Sequence, residues 1–213
     1  MSEINASVLE LMASKLCHDV ISPVGAISNG VEFLEDMGMD AGDEAVQLIA
    51  FSANQASAKL QAFRYAYGAG GADPSIKPED IHTTFEAVIA PDGKVSQNWD
   101  PHVHIGPEER PEGLCKTIMN VLLLSFDTLP KGGQIRLEPV NKTQVLIHAD
   151  GENANFSELA DAALRLDLDI SDLSPKLVHP YLTSVLAQNY QLSVSLHQLS
   201  HNSVTFAIHI PEQ

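Results

Sequence analysis

Residues 9–34 read LELMASKLCHDVISPVGAISNGVEFL, and the spacing of their apolar positions decides the fold of the N-terminal third. Leu9, Ala13, Leu16, Val20, Pro23, Ile27, Gly30 and Leu34 follow one another in alternating steps of four and three. A second run does the same through Val46, Ile49, Ala53, Ala56, Leu60, Phe63 and Tyr67. That alternation is the a/d seam of a helical bundle. Between the runs, Met37-Gly38-Met39-Asp40-Ala41-Gly42-Asp43 supplies glycine to end the first helix and Asp43 as an N-cap for the second. The two helices, each about 25–30 residues long, form an antiparallel hairpin. Two helices cannot enclose a core. The simplest cover for the remaining apolar face is a second copy, giving a homodimeric four-helix bundle; the alternative is packing onto the chain's own second domain.

Working outward, residues 68–75 (GAGGADPS) interrupt the helical pattern and divide the chain into 1–70 and 71–213. Beyond them the pattern is mixed. Helices are expected over 78–88, 112–128, 155–165 and 175–189. Strands are expected over 94–105 (one or two), 134–139, 143–149, 191–198 and 203–210, with turns at Lys131-Gly132-Gly133 and Ser200-His201-Asn202. The 112–128 helix is apolar almost all round and should be buried. The fold class is α+β: a helical hairpin followed by an α/β sandwich with helices on one face of the sheet.

The 213 residues carry 12 Lys+Arg against 28 Asp+Glu, a formal charge of −16. Such a surface repels phosphate backbones and anionic lipid, so neither nucleic acid nor membrane is an expected partner, and a protein with a basic face would be steered towards it. No apolar run approaches the ~18 residues of a membrane span, and the N-terminus lacks a basic leader. A cytoplasmic location is expected. Cys17 and Cys115 read as two reduced thiols.

The chemistry concentrates at Cys17-His18-Asp19-Val20-Ile21-Ser22-Pro23. With Ala13 at a and Leu16 at d, His18 falls at f, the most exposed position. Pro23 lies inside the helix, at a cost of about 3 kcal/mol, and deletes the hydrogen bond to the carbonyl of Asp19. A helix that exposes an imidazole beside a carboxylate and loosens itself there suits nucleophilic phosphoryl transfer. The carboxylate fixes the tautomer and balances the positive ring, and the other nitrogen is free to attack. Lys15, one turn before His18, and Arg64, brought near if residue 34 pairs with 46, are candidate cations for a phosphoryl group. His102 and His104, on an expected strand, share a face, but no third metal ligand accompanies them.

His-Asp-Val-Ile-Ser-Pro at 18–23 resembles the H-box of bacterial sensor histidine kinases, and Leu16–Gly30 is closer still to the ChpT-type bacterial histidine phosphotransferases. The resemblance spans essentially the whole chain. It implies a phosphohistidine at His18, with Asp19 as its catalytic partner. It also implies a donor receiver domain on a hybrid histidine kinase, response regulators as acceptors, and Mg²⁺ in the receiver rather than here. Ser22 matches the position whose polar side chain assists phosphatase activity in the kinases. The docking face would include Ser14, Ile21, Ser22 and Gly25 around His18.

Residues 114–133 (LCKTIMNVLLLSFDTLPKGG) resemble the kinase N-box, with Asn120 at an upstream Asn of the pattern. Leu124 stands where the metal-binding Asn belongs, and a hydrocarbon cannot ligate Mg²⁺. Asp150-Gly151-Glu152 keeps the Asp and one Gly of the next ATP motif, and no glycine follows Gly151. The expectation is a kinase-like ATP domain without a nucleotide site and a phosphotransferase that uses no ATP. The alternatives are an ATP-dependent kinase with a divergent site and a non-catalytic, receiver-binding adaptor.

Overall fold

A computed structural model describes residues 6–37 and 42–212. Helix α1 (Ala6–Met37) and helix α2 (Gly42–Tyr67) form the expected antiparallel hairpin. Asp43 lies within the first turn of α2, one position past its start, and is not its cap. There its charge favours the positive end of the helix dipole. Residues 38–41, the rest of the expected turn, lie outside the described residues. Pro23 is accommodated without ending α1. At Gly30 the helices lie close together: a Cβ there would stand 2.7 Å from Ile49 Cγ1.

The 68–75 segment is a packed corner and not a loose linker. A short 3-10 turn (Ala69–Ala72) follows α2, and a Cβ on Gly71 would meet the carbonyl oxygen of Tyr65 at 2.0 Å. The chain then runs α3 (Pro78–Ile89), β1 (Val95–Gln97), α4 (Leu114–Asp127), β2 (Gly133–Asn141), β3 (Gln144–Asp150), α5 (Glu158–Leu164), α6 (Val178–Asn189), β4 (Ser193–Ser200) and β5 (Ser203–His209). The five strands form a mixed sheet in the order β1-β2-β3-β5-β4, parallel only between β1 and β2.

Of the strand expected over 94–105, only Val95–Gln97 pairs. Asp100-Pro101 ends it: Pro cannot donate to the ladder, and the Asp100 carboxylate accepts from the backbone N–H of His102, folding the chain into a turn. His102 and His104 are therefore in a loop, where His102 faces Glu79 at 3.1 Å. Helix α5 is shorter than the 155–165 expected because Ser157 caps it, accepting from the N–H of Ala160 at 3.1 Å.

Helix α4 is the hub. It is buried from Leu114 to Ser125 and lies on the inward residues of β3 (Val145, Ile147, Ala149) and β5 (Val204, Phe206, Ile208). The opposite face of the sheet is polar, with Arg136 paired to Asp150 and His148 between Thr205 and Glu138. Helices on one face and side-chain alternation on the strands give the sandwich read from the sequence.

The hairpin joins the sandwich at two places. Ala58, Ala62 and Ala66 of α2 enter the main core, and Val8 and Met12 of α1 pack with Ala163, Leu173 and Val178 in a second cluster. Small alanines let α2 lie close to α3 and α4. The middle of α1, which carries His18, is left facing a cleft between these two contacts.

Candidate functional site

The imidazole of His18 is 88% exposed, as its f position requires, and its Nδ1 lies 3.4 Å from Asp19 Oδ1. The other carboxylate oxygen of Asp19 accepts from Lys15 Nζ at 3.1 Å, one helical turn away. Lys15 is thus drawn to the carboxylate, within the neighbourhood the sequence placed it in. Ser14, Ile21, Ser22 and Gly25 stand at i−4, i+3, i+4 and i+7 from His18 and share its face. Ile21 is 69% exposed, and Ser14 and Ser22 are also open to solvent. Nothing lies within 4 Å of where a Gly25 side chain would begin.

Arg64 is not brought to His18 by any contact among the described residues; its guanidinium sits over the ring of Tyr65, 5.4 Å from the centroid. The cation that crosses the hairpin is Lys59, whose Nζ donates to the backbone carbonyl of Asp19 at 3.0 Å. The helices pair residue 19 with 59, a register about two residues from the one expected. Residues 59 and 64 point about 140° apart around a helix. The carbonyl that Lys59 reaches is the one that Pro23 leaves without a helical donor.

Facing α1, the cleft of about 960 Å³ is lined by His18, Ser14, Lys15 and Asp19 on one side. Leu124, Asp127, Phe156, Ser157, Lys176 and Pro180 are among the residues on the other. A smaller cavity beneath Asp19 and Lys59 reaches Tyr67, Asp127 and His179. His179 is buried, with Nδ1 3.5 Å from Asp127 Oδ2, and the Tyr67 ring meets it edge-on. Desolvation would raise the Asp127 carboxyl, but the neighbouring His179 and the charge of Lys15 hold it below the usual carboxylate range. Burial, with Asp127 and Asp19 adding, pushes the Tyr67 phenol up. Neither Asp127 nor His179 stands in a periodic pattern, and their meeting depends on the packing of α4 against α6.

The remnants of the ATP motifs have other duties. Asn120 is buried and donates to the carbonyls of Ala66 and Lys116 at 2.8 and 3.0 Å. Leu124 is buried at the cleft wall. Asp150 accepts from Arg136 and from the Ser203 hydroxyl, at 2.8 and 2.7 Å, which outweigh desolvation and hold its carboxyl below the ordinary range. Gly151 is needed for packing, because a Cβ there would stand 2.2 Å from the Gly132 oxygen. Glu152 pairs with Lys131. Among the described residues no group of three His, Cys, Asp or Glu is set to hold a metal ion. Burial raises the Cys115 thiol to about 11, keeping it protonated and inert, while Cys17 is exposed. No helix among the described residues is long and apolar enough to cross a membrane.

A helical hairpin that exposes one histidine beside a carboxylate, docked on a sandwich whose nucleotide-motif residues are engaged internally, has the parts of a phosphotransfer protein. Comparison with known proteins agrees. The model of the histidine phosphotransferase C-terminal domain matches residues 78–200. The protein phosphotransferase ChpT of Brucella abortus (strain 2308) is 32% identical over 202 residues, 91% of each chain. The solved structure of a bacterial phosphotransferase is similar with a TM-score of 0.76 at 29% identity, over 97% of this chain and 98% of that one. The chain therefore belongs to the histidine phosphotransferase family, and it transfers phosphoryl groups in a two-component relay through a phosphohistidine.

Proposed function

We propose that His18 is the phosphoacceptor and that it shuttles the phosphoryl group between aspartates of receiver domains. The observation that carries this reading is the 88% exposed imidazole with one nitrogen facing Asp19 at 3.4 Å. With the proton on Nδ1, directed at Asp19, the lone pair of Nε2 attacks phosphorus. The N–P bond forms as the P–O bond to the donor aspartate breaks, and that aspartate leaves as a carboxylate. The ring then carries positive charge, which the Asp19 carboxylate balances. The reverse step, on a second receiver, restores neutral His18. Mg²⁺ belongs to the receiver. The donor would be the receiver of a hybrid kinase, the acceptors response regulators, and the setting cytoplasmic.

Residues 1–70 act as the phosphoacceptor and dimerisation unit, and 71–213 as a sandwich that holds it. Ser14, Lys15, Ile21, Ser22 and Gly25 form the receiver-docking face around His18. An apolar centre with polar neighbours suits a transient interface. The second copy that completes a four-helix bundle covers a different side of the hairpin.

The deciding experiment is radiolabel transfer from a phosphorylated receiver, with and without ATP, beside His18→Ala. Label should pass from the receiver to the wild-type protein, none should come from ATP alone, and His18→Ala should take none. Wild-type transfer by His18→Ala would overturn the assignment. Label from ATP alone would restore the kinase alternative.

A further inference from the structure

Pro23 has no N–H, so the carbonyl of Asp19, four residues earlier, is denied its helical hydrogen bond. That carbonyl belongs to the residue that faces His18. It is nevertheless satisfied: Lys59 Nζ reaches across from α2 and donates to it at 3.0 Å. Among the described residues this is the one hydrogen bond or ion pair of Lys59, and the side chain is half-buried in the hairpin. The Asp19 carboxylate is held separately, by Lys15 at 3.1 Å. Two cations thus fix two different groups of the same residue, one its backbone and one its side chain.

We propose that Lys59 is a positioning residue for phosphoryl transfer: it replaces the backbone donor that Pro23 removes and thereby fixes the turn of α1 that presents His18 and Asp19. Pro23 and Lys59 form one device. The proline loosens the helix beneath the phosphoacceptor, and the lysine sets where the loosened carbonyl points. A charged donor makes a stronger bond than the amide it replaces, and its flexible stem lets the turn move without losing the contact. This inference rests on His18 being the phosphoacceptor.

The two halves of the device predict a specific non-additivity, which a role in packing or in touching the receiver would not produce. The initial rate of phosphoryl uptake from a phosphorylated receiver is measured for wild type, Lys59→Met, Lys59→Arg, Pro23→Ala and the Pro23→Ala/Lys59→Met pair. In the wild-type background, Lys59→Met should slow uptake about tenfold, the size expected for losing one charge-assisted hydrogen bond that orders the site. Lys59→Arg, which keeps a cationic donor, should recover most of the rate. With Pro23→Ala, residue 23 regains its N–H and donates to Asp19 itself. Lys59→Met should then cost less than about twofold relative to Pro23→Ala alone.

An equal loss in both backgrounds would overturn the proposal, and so would no loss in either. Melting temperatures of the same samples are followed throughout. The Pro23→Ala background, a better helix former, keeps the comparison readable if Lys59→Met alone is unstable. Failure here is distinguishable from failure of the His18 assignment: if His18→Ala still takes label, that assignment has failed, whereas a His18-dependent wild type indifferent to Lys59 sinks only this inference.

Discussion

Gly25 sits in the interior of a 32-residue helix, at i+7 from His18. Glycine there costs about 0.5–1 kcal/mol relative to alanine. Nothing inside the chain asks for it, since no atom lies within 4 Å of a Cβ at that position. Gly30, by contrast, is explained by Ile49. A glycine with no internal reason, on the face of the phosphoacceptor, fits close approach by a partner. Gly25→Ala should therefore raise the melting temperature slightly. Gly25→Leu should leave the fold intact but weaken receiver binding by about tenfold or more, because a bulky side chain now stands in the interface. Titration of a phosphorylation-inert receiver against both variants checks this, and undiminished affinity in Gly25→Leu would remove residue 25 from the docking face. The imidazole itself was the most legible feature of the chain, because its exposure follows directly from heptad position. Lys59 was not, because a register slip of about two residues rotates the facing side chain out of the expected set.

Helix α4 shows how an element keeps a motif's residues while changing what they do. In sequence, Asn120 stands at a position that resembles one of the kinase N-box. In the fold, its amide donates to Ala66 at the end of α2, and Lys116, one turn earlier on α4, donates to the Gly68 carbonyl at 2.7 Å. Both are buried, and burial lowers the Lys116 ammonium. The last carbonyls of a helix have no partners of their own; here Asn120 of the sandwich supplies one to Ala66. This clasp, with the alanines of α2 beside it, ties the hairpin to the second half of the chain. Asn120→Ala should lower the unfolding free energy by about 1–3 kcal/mol, the cost of leaving a buried carbonyl without its donor. Urea denaturation would show it as a lower midpoint, and an unchanged midpoint would mean that the clasp adds nothing. The helix's existence and burial were readable from an apolar pattern that runs all round it. The partners of its polar residues were not, since they lie about fifty residues away in sequence and are set only by tertiary packing.

The hairpin seam read from the sequence is wider than one chain can bury. Pro23, Gly30 and Ala56 are buried between α1 and α2, while Leu9, Val46 and Leu60 remain exposed. The positions facing the neighbouring helix include 19, 23 and 30 on α1 and 45, 49, 52, 56 and 59 on α2. One residue further along lie Val24 and Val31, and Val46, Ala53 and Leu60, each set repeating every seven residues. In an antiparallel pair an equal angular offset on both helices leads to the same side, so these residues form one apolar stripe on one face of the hairpin. His18 and Ser22 are offset in the opposite sense and point away from it. That arrangement suits a four-helix bundle in which a second copy covers the stripe and leaves the phosphoacceptors free. Each such side chain contributes about 1.5–3 kcal/mol if taken from full exposure to full burial, so a few of them suffice for a stable dimer. Sedimentation velocity at micromolar concentration should give a dimer for the wild type. The Val46→Glu/Leu60→Glu variant should give a monomer that keeps its helix content, since neither residue is part of the chain's own core. A monomeric wild type would mean that the stripe meets something else. A dimer indifferent to both charges would place the second copy on a face other than this stripe.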